Sequence, residues 1–218
     1  MEKFFTINTR NELLLTLPED AVLSRLGRNR YLTVIDQKLT VNLRLAMQKA
    51  FALCHARGKW KLLTVSEHTP DMVILDENWQ ISSRAFADFV KNAQYVFLGA
   101  VTIGSDLLQA ITQAQKAGNM AEAAIFDAVG SECADLAIER LQKLAGAELC
   151  RYGLNISPQR FSAGYGGVEL FHQQEIFRQL ELEELGITLT ETFIMQPEKS
   201  VTAFAVVNEA ISNNGAIQ

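Results

Sequence analysis

The sequence predicts an α+β fold, with a mixed or antiparallel sheet and packed helices, and three observations support this. QYVFLGAVTIG (94–104) is a nearly continuous run of apolar β-forming residues, which is typical of a buried central strand. The segment 121–146 is rich in alanine and predicts the longest helix. ITLTETFIM (187–195) and KSVTAFAVV (199–207) are strand-like runs that follow each other near the C-terminus. Consecutive strands favour α+β over strictly alternating strands and helices.

Periodicity and turn residues predict the remaining elements. Asn119 and Glu122 form a capping-box pattern at the start of the longest helix. A helix from about Leu39 to Arg57 has apolar residues at helical spacing and is expected to end at Gly58. Other helices are expected at 19–27, 82–92, 105–118 and 172–185, strands at 61–66 and 71–76, and a kink at Met195-Gln196-Pro197 between the last two strands.

The length of 218 residues suits a single large domain with its own core. We therefore predict one domain over residues 1–218, within which 1–90 is a possible N-terminal subregion. The last residues, 208–218, are polar and are expected to form a loosely held tail.

The composition excludes several classes of partner. The net charge of -5 and the isoelectric point near 5.3 argue against a nucleic-acid-binding protein. The densest basic stretch contains Arg25, Arg28 and Arg30, and we interpret it as a solvated loop. No stretch is long enough to cross a bilayer, and the three cysteines are too far apart for a disulfide framework. We expect a cytoplasmic protein that binds neither nucleic acid nor membrane.

Common catalytic motifs are absent from the sequence. It contains no GxxxxGK[ST] phosphate loop, no GxGxxG after a strand and no GxSxG nucleophile turn. The three histidines lack metal-ligand spacing, and we expect His172 to be an ordinary surface residue. We therefore predict neither a catalytic residue nor a metal site on this chain.

RFSAGYGG (160–167) is the segment best suited to binding a ligand. Arg160 offers a planar cation for a carboxylate or phosphate, and Tyr165 offers a ring that can stack on a heterocycle. The glycines at 164, 166 and 167 let the backbone approach a ligand closely. A ligand with a carboxylate, a cationic centre and an aromatic ring suits all three features. The residues alone leave open a glycine turn with a solvated arginine.

Four segments together resemble one known family. They are VFLGAVTIG (96–104), FDAVGSECADLAIERL (126–141), RFSAGYG (160–166) and LTETFIMQPEKSVTAF (189–204). The chain resembles the activation domain of cobalamin-dependent methionine synthase, and more closely free-standing homologues of that domain. The Arg-x-x-x-Gly-Tyr and Met-x-Pro-x-x-Ser-Val elements occur in the family's order, and the pair is more specific than either element alone.

The resemblance implies an α+β domain that binds S-adenosylmethionine. It would support reductive remethylation of a cobalamin held by a partner, either a methionine synthase core or another corrinoid protein. An electron-donating redox protein is a further possible partner. Carried over by motif, Arg160 binds the ligand carboxylate, and Gly164 and Tyr165 shape the adenosyl pocket. The same cofactor-binding set includes Ser162, Ala163 and Gly166 of the loop and, for the ligand ammonium, Glu132 of the long helix.

Other readings stay open at the sequence level. Lys199 and Ser200 either line the same groove or occupy an edge strand. Ala163 and Gly167 differ from what relatives commonly carry. A non-catalytic interaction module, docking on a corrinoid or methyltransferase protein without S-adenosylmethionine, is therefore the alternative function. Another adenosyl metabolite as ligand also remains open.

Overall fold

A computed structural model describes residues 1–28 and 37–210 of the chain. Within these ranges the helices are α1 (Glu19–Arg25), α2 (Gln37–Ala52), α3 (Arg84–Phe89), α4 (Asp106–Lys116), α5 (Met120–Cys150) and α6 (Gln173–Leu180). Short 3-10 turns cover Glu2–Phe4, Leu170–His172 and Leu182–Leu185. The strands are β1 (Asn8–Arg10), β2 (Arg57–His68), β3 (Val73–Leu75), β4 (Trp79–Ile81), β5 (Tyr95–Thr102), β6 (Leu154–Ile156), β7 (Thr188–Leu189), β8 (Met195–Gln196) and β9 (Ser200–Glu209).

The main sheet is antiparallel and has the strand order β4-β3-β2-β5-β9-β6, with β1 paired to β2. Strand β5 lies between β2 and β9 along its whole length. All but the first of its residues are buried, which confirms the predicted central strand. Strands β7 and β8 form a separate two-stranded sheet. The predicted α+β fold is confirmed.

The sheet separates two hydrophobic cores. Alternate residues of β5 enter different cores: Phe97 and Val101 face α2, α4 and α5, whereas Val96 and Leu98 face α3 and α6. This alternation is the normal period of a strand, and both faces are covered because helices pack on each. The glycine-rich segment belongs to the α3–α6 side, while α5 belongs to the other side.

Three predicted elements differ from the structure. The helix predicted at 172–185 ends as α6 at Leu180, because Glu181 has φ 49°, and a 3-10 turn follows. The second helix ends at Ala52, and Gly58 lies inside β2 instead of stopping the helix. A Cβ at Gly58 would be 2.9 Å from the Ala100 carbonyl oxygen, so the position needs glycine for close packing of the sheet. Residues 187–195 form two short strands joined by a turn in which Phe193 has φ 64°, instead of one continuous strand.

The structure also tests the predicted helix cap, the predicted kink and the predicted tail. The Asn119 side chain accepts a hydrogen bond from the Glu122 backbone N–H at 3.4 Å, as the capping-box pattern predicts. A cis bond at Gln196-Pro197 follows β8 and confirms the predicted kink. Of the predicted tail 208–218, residues 211–218 lie outside the described residues, whereas Asn208 and Glu209 pair with β6.

In residues 1–28 and 37–210, no helix combines the length and apolar character that crossing a membrane requires.

Candidate functional site

A bulge beside β9 places Arg160 outside the sheet. Ile156 pairs with Val207, and the next pairing is between Phe161 and Phe204. Residues 157–160 therefore stand opposite only two residues of β9. The extra residues must leave the plane of the sheet, and Pro158 cannot donate to a ladder.

The loop that follows is anchored on the α3–α6 core. Phe161 N donates to the Phe204 carbonyl at 2.9 Å, and the Phe161 ring lies 5.3 Å from the Phe86 ring, centroid to centroid. Ser162 Oγ donates to the Thr202 carbonyl at 2.9 Å. Ala163 is buried in the same core. Ser162 and Ala163 therefore hold the loop against β9 and the α3–α6 core.

The glycines of the loop adopt conformations that other residues rarely take. Gly164, Gly166 and Gly167 have φ values of 90°, 55° and 81°. A Cβ at Gly166 would also be 2.6 Å from the Phe161 ring. Ser83, the N-cap of α3, donates its Oγ to the Gly166 carbonyl at 2.7 Å. The turn is thus fixed by α3 and needs glycine for its shape.

Tyr165 projects from this fixed turn. Its exposed fraction is 74%, which is high for a large aromatic residue. The Tyr165 carbonyl accepts from Val168 N at 2.9 Å, so the backbone is held while the ring faces solvent. An exposed ring on a rigid turn can stack on a flat ligand group.

Arg160 reaches across to α5, the helix of the other core. Its Nη1 donates to Gln142 Oε1 at 2.9 Å. Gln142 is buried, and its Nε2 donates to the Ser157 carbonyl. The guanidinium itself is on an exposed residue and retains further N–H groups.

Glu132 lies on the same helix but already has a cationic partner. Arg25 Nε, at the end of α1, donates to Glu132 Oε1 at 2.6 Å. This hydrogen bond raises the pKa of Arg25 above its ordinary value. Arg25 therefore links α1 to α5. The interpretation of this stretch as a solvated loop is wrong for Arg25. Arg30 of the same basic stretch lies outside the described residues.

The Asp135 carboxylate interacts electrostatically with both Glu132 and Arg160. Desolvation and the neighbouring Glu132 carboxylate raise the pKa of Asp135, while Arg25 and Arg160 act in the opposite direction. Arg25 Nη2 is 3.7 Å from Asp135 Oδ2, which is longer than its contact with Glu132. The Asp135 carboxylate thus interacts with both arginines, and its contact with Arg25 is a long one.

Lys199 and Ser200 have structural roles beside this helix. Lys199 Nζ contacts Asp127 Oδ1 at 2.7 Å and Ser131 Oγ at 2.9 Å, both on α5. Ser200 Oγ donates to Thr102 Oγ1 at 3.0 Å. Ser200 begins β9 and pairs with Thr102 of β5, whereas β6 pairs only with Val207–Glu209 at the other end of β9, so Ser200 is paired on one side, as an edge position is.

The structure brings Arg160 to α5, where it contacts Gln142 and interacts electrostatically with Asp135, and places Tyr165 five residues further along the loop. Sequence reasoning missed Asp135 and Gln142. Their spacing from Glu132, three and ten residues, matches one helical face and was the available signal. Whether Arg160, Ser162, Ala163, Gly164, Tyr165, Gly166 and Glu132 bind a ligand stays a prediction.

The expectation for His172 is wrong. It is buried, and Trp79 Nε1 donates to His172 Nδ1 at 3.2 Å. Burial lowers the pKa of His172. The histidine packs the second 3-10 turn against β4, which the sequence did not predict as a strand.

Comparison with solved structures identifies the class of the fold. The chain superposes on a crystal structure titled "MetH Reactivation Domain bound to AdoHcy" with a TM-score of 0.65. The alignment covers 97% of this chain and 80% of that chain, at 16% sequence identity. At this identity the likeness establishes a shared fold, that of a reactivation domain.

Comparison of the sequence with family models identifies the family. The model described as "Vitamin B12 dependent methionine synthase, activation domain" matches residues 73–213. The match spans more than half of the chain, which therefore belongs to this family. The resemblance drawn from the sequence motifs is confirmed. A comparison with curated proteins finds no match.

Proposed function

We propose that this protein binds S-adenosylmethionine and supports reductive remethylation of cobalamin on a partner protein. The observation that carries the proposal is the contact of Arg160 Nη1 with Gln142 Oε1 at 2.9 Å, which holds the arginine against α5, the helix that carries Asp135, on the segment that leads into the rigid glycine turn. Membership of the activation-domain family supports the same ligand class. The partner would be a methionine synthase core or another corrinoid protein.

The charges suit the amino-acid part of the ligand. Arg160 would bind its carboxylate, because a guanidinium forms short, charge-assisted bonds with carboxylates. Asp135 would bind its ammonium, because Glu132 is already paired with Arg25 at 2.6 Å. This assignment revises the expectation that Glu132 holds the ammonium, and gives Glu132 the task of positioning Arg25 beside Asp135.

The loop suits the adenosyl part. Gly164 and Gly166 give the loop a backbone shape that residues with a side chain rarely adopt, and the exposed Tyr165 ring can stack on adenine. S-adenosylmethionine supplies an electrophilic methyl group. The chain's own residues bind and orient it, while the cobalamin and an electron-donating protein would supply the remaining chemistry.

Calorimetric titration with S-adenosylmethionine tests the proposal directly. We expect binding by the wild-type chain, and a loss of about 1.5–3 kcal/mol of binding free energy in Arg160→Ala, the scale of a hydrogen bond to a charged group. Arg151→Ala is the matched control, because Arg151 is an exposed arginine at the end of α5. We expect its affinity to equal that of the wild type.

The outcome also separates the two functions. Folded wild-type protein that gives no heat with millimolar S-adenosylmethionine would contradict ligand binding and favour the interaction module. Equal weakening by Arg160→Ala and Arg151→Ala would show that general charge, and not the loop arginine, determines the affinity.

A further inference from the structure

We infer that Gln142 is a positioning residue for ligand recognition: its neutral amide orients Arg160 without neutralising it. The inference rests on the proposed function. Gln142 has an exposed fraction of 4% and lies on α5, three helical turns beyond Glu132. It touches the loop that carries Arg160 and is not itself in the loop.

Both the oxygen and the nitrogen of the Gln142 amide form hydrogen bonds. Its Oε1 accepts from Arg160 Nη1 at 2.9 Å, and its Nε2 donates to the Ser157 carbonyl. Ser157 N donates to the Val206 carbonyl of β9 at 2.8 Å. The bulge at 157–160 is therefore held by β9 on one side and by Gln142 on the other, with Arg160 at its end.

The amide is chemically suited to this position. A carboxylate there would pair with Arg160 and place an oxygen against the Ser157 carbonyl, whereas an apolar side chain would release both groups. Because an amide oxygen carries no net charge, the guanidinium keeps its positive charge and several N–H groups for an incoming carboxylate. The buried glutamine thus determines which ligands the arginine recognises.

Two ligands separate positioning of Arg160 from general support of the fold. S-adenosylmethionine has a carboxylate, whereas methylthioadenosine has the nucleoside and lacks the amino-acid tail. In calorimetry with the full chain, we expect Gln142→Glu to weaken S-adenosylmethionine binding about 10–100-fold, since the new carboxylate competes for Arg160. Binding of methylthioadenosine should change by less than about twofold, because the loop stays in place.

Gln142→Met is the second variant, because it removes the amide without adding charge. We expect about 3–10-fold weaker S-adenosylmethionine binding, as for one neutral hydrogen bond. In an Arg160→Ala background, Gln142→Glu should leave S-adenosylmethionine affinity within about twofold, since the residue acts through Arg160. If Gln142→Glu does not fold, the affinities of Gln142→Met for S-adenosylmethionine and methylthioadenosine test the inference.

If the folded variants lose affinity for S-adenosylmethionine and methylthioadenosine equally, Gln142 has only a structural role and the inference is wrong. Unchanged affinity for S-adenosylmethionine would also overturn it. The inference is also overturned if Gln142→Glu weakens S-adenosylmethionine binding as much in the Arg160→Ala background as in the wild type. These results leave the proposed function intact, since the wild type still binds. A wild type that binds neither ligand overturns the proposed function and the inference together.

Discussion

Three acidic side chains of α5, Asp127, Glu132 and Asp135, differ in how closely they are paired with a cation. Asp127 contacts Lys199 at 2.7 Å, and Glu132 contacts Arg25 at 2.6 Å. Asp135 is 3.7 Å from Arg25 and also interacts with Arg160. A carboxylate with a close partner has little attraction left for a ligand cation, so Asp135 is the residue best placed to accept an ammonium group.

The raised pKa of Asp135 predicts a pH-dependent affinity for S-adenosylmethionine. Only the ionised carboxylate attracts an ammonium, so affinity should fall as the pH decreases through this pKa, beginning above the ordinary value of 3.8. Asp135→Asn should bind more weakly at neutral pH, by about tenfold, and lose most of the acid dependence. Dissociation constants measured from neutral pH to about pH 4 test this.

Glu139→Gln provides the control for this measurement. Glu139 lies on the same helix and also interacts with Arg160, but its hydrogen bond to Lys143 is the main cause of its lowered pKa. We expect this variant to keep the wild-type pH dependence. An unchanged acid dependence in Asp135→Asn would contradict the assignment of the ammonium to Asp135.

At the scale of elements, β2 holds the α6 region by a row of basic side chains. Arg57, Lys59 and Lys61 alternate along β2 and therefore face the same side of the sheet. Arg57 Nη2 donates to the Leu185 carbonyl at 2.9 Å, and Lys59 Nζ to the Glu181 carbonyl at 2.9 Å. These carbonyls lie at the ends of α6 and of the adjoining 3-10 turn, and the Glu181 carbonyl also accepts from Glu184 N at 3.2 Å.

Lys59→Met should destabilise the protein. The Lys59 side chain is 1% exposed, and its loss leaves the Glu181 carbonyl without this donor. We expect the free energy of unfolding to fall by about 1.5–3 kcal/mol, the scale of a hydrogen bond made by a charged group. Lys91→Met changes an exposed lysine after α3 and should stay within about 0.5 kcal/mol of the wild type. Equal denaturant midpoints for the two variants would contradict this role.

At the scale of the molecule, the candidate site lies where the two cores meet. The loop from Phe161 to Val168 packs on the α3–α6 core, whereas α5 packs on the other. Arg160 spans the two because the bulge at 157–160 leaves the edge of the sheet. A ligand bound there would contact both halves of the molecule and could present one face to a partner protein.

A pull-down with a cobalamin-loaded methionine synthase core tests this arrangement. If the molecule acts as a reactivation domain, S-adenosylmethionine should strengthen capture of the core, and Arg160→Ala should remove the strengthening, because a shared complex links the two binding steps. Arg151→Ala again serves as the control. Capture that is identical with and without ligand would favour the interaction module.

The sequence predicted the central strand, the long helix and the loop correctly because each has a local signal. An apolar run, an alanine-rich segment and clustered glycines are visible without knowledge of their neighbours. Gly58 misled the prediction because a glycine that allows close packing looks the same in sequence as one that ends a helix. His172 looked like a surface residue for the same reason, since its partner Trp79 is distant in the chain.

The sequence by itself determined the α+β class, the family and the glycine loop with its arginine and tyrosine. Only the tertiary structure determined which side chains Arg160 interacts with. Arg160 contacts Gln142 and interacts electrostatically with Asp135 across the edge of the sheet, and Glu132 is paired with Arg25. Charge pairing depends on distances between residues far apart in the chain. Such distances exist only after the strands and helices have packed.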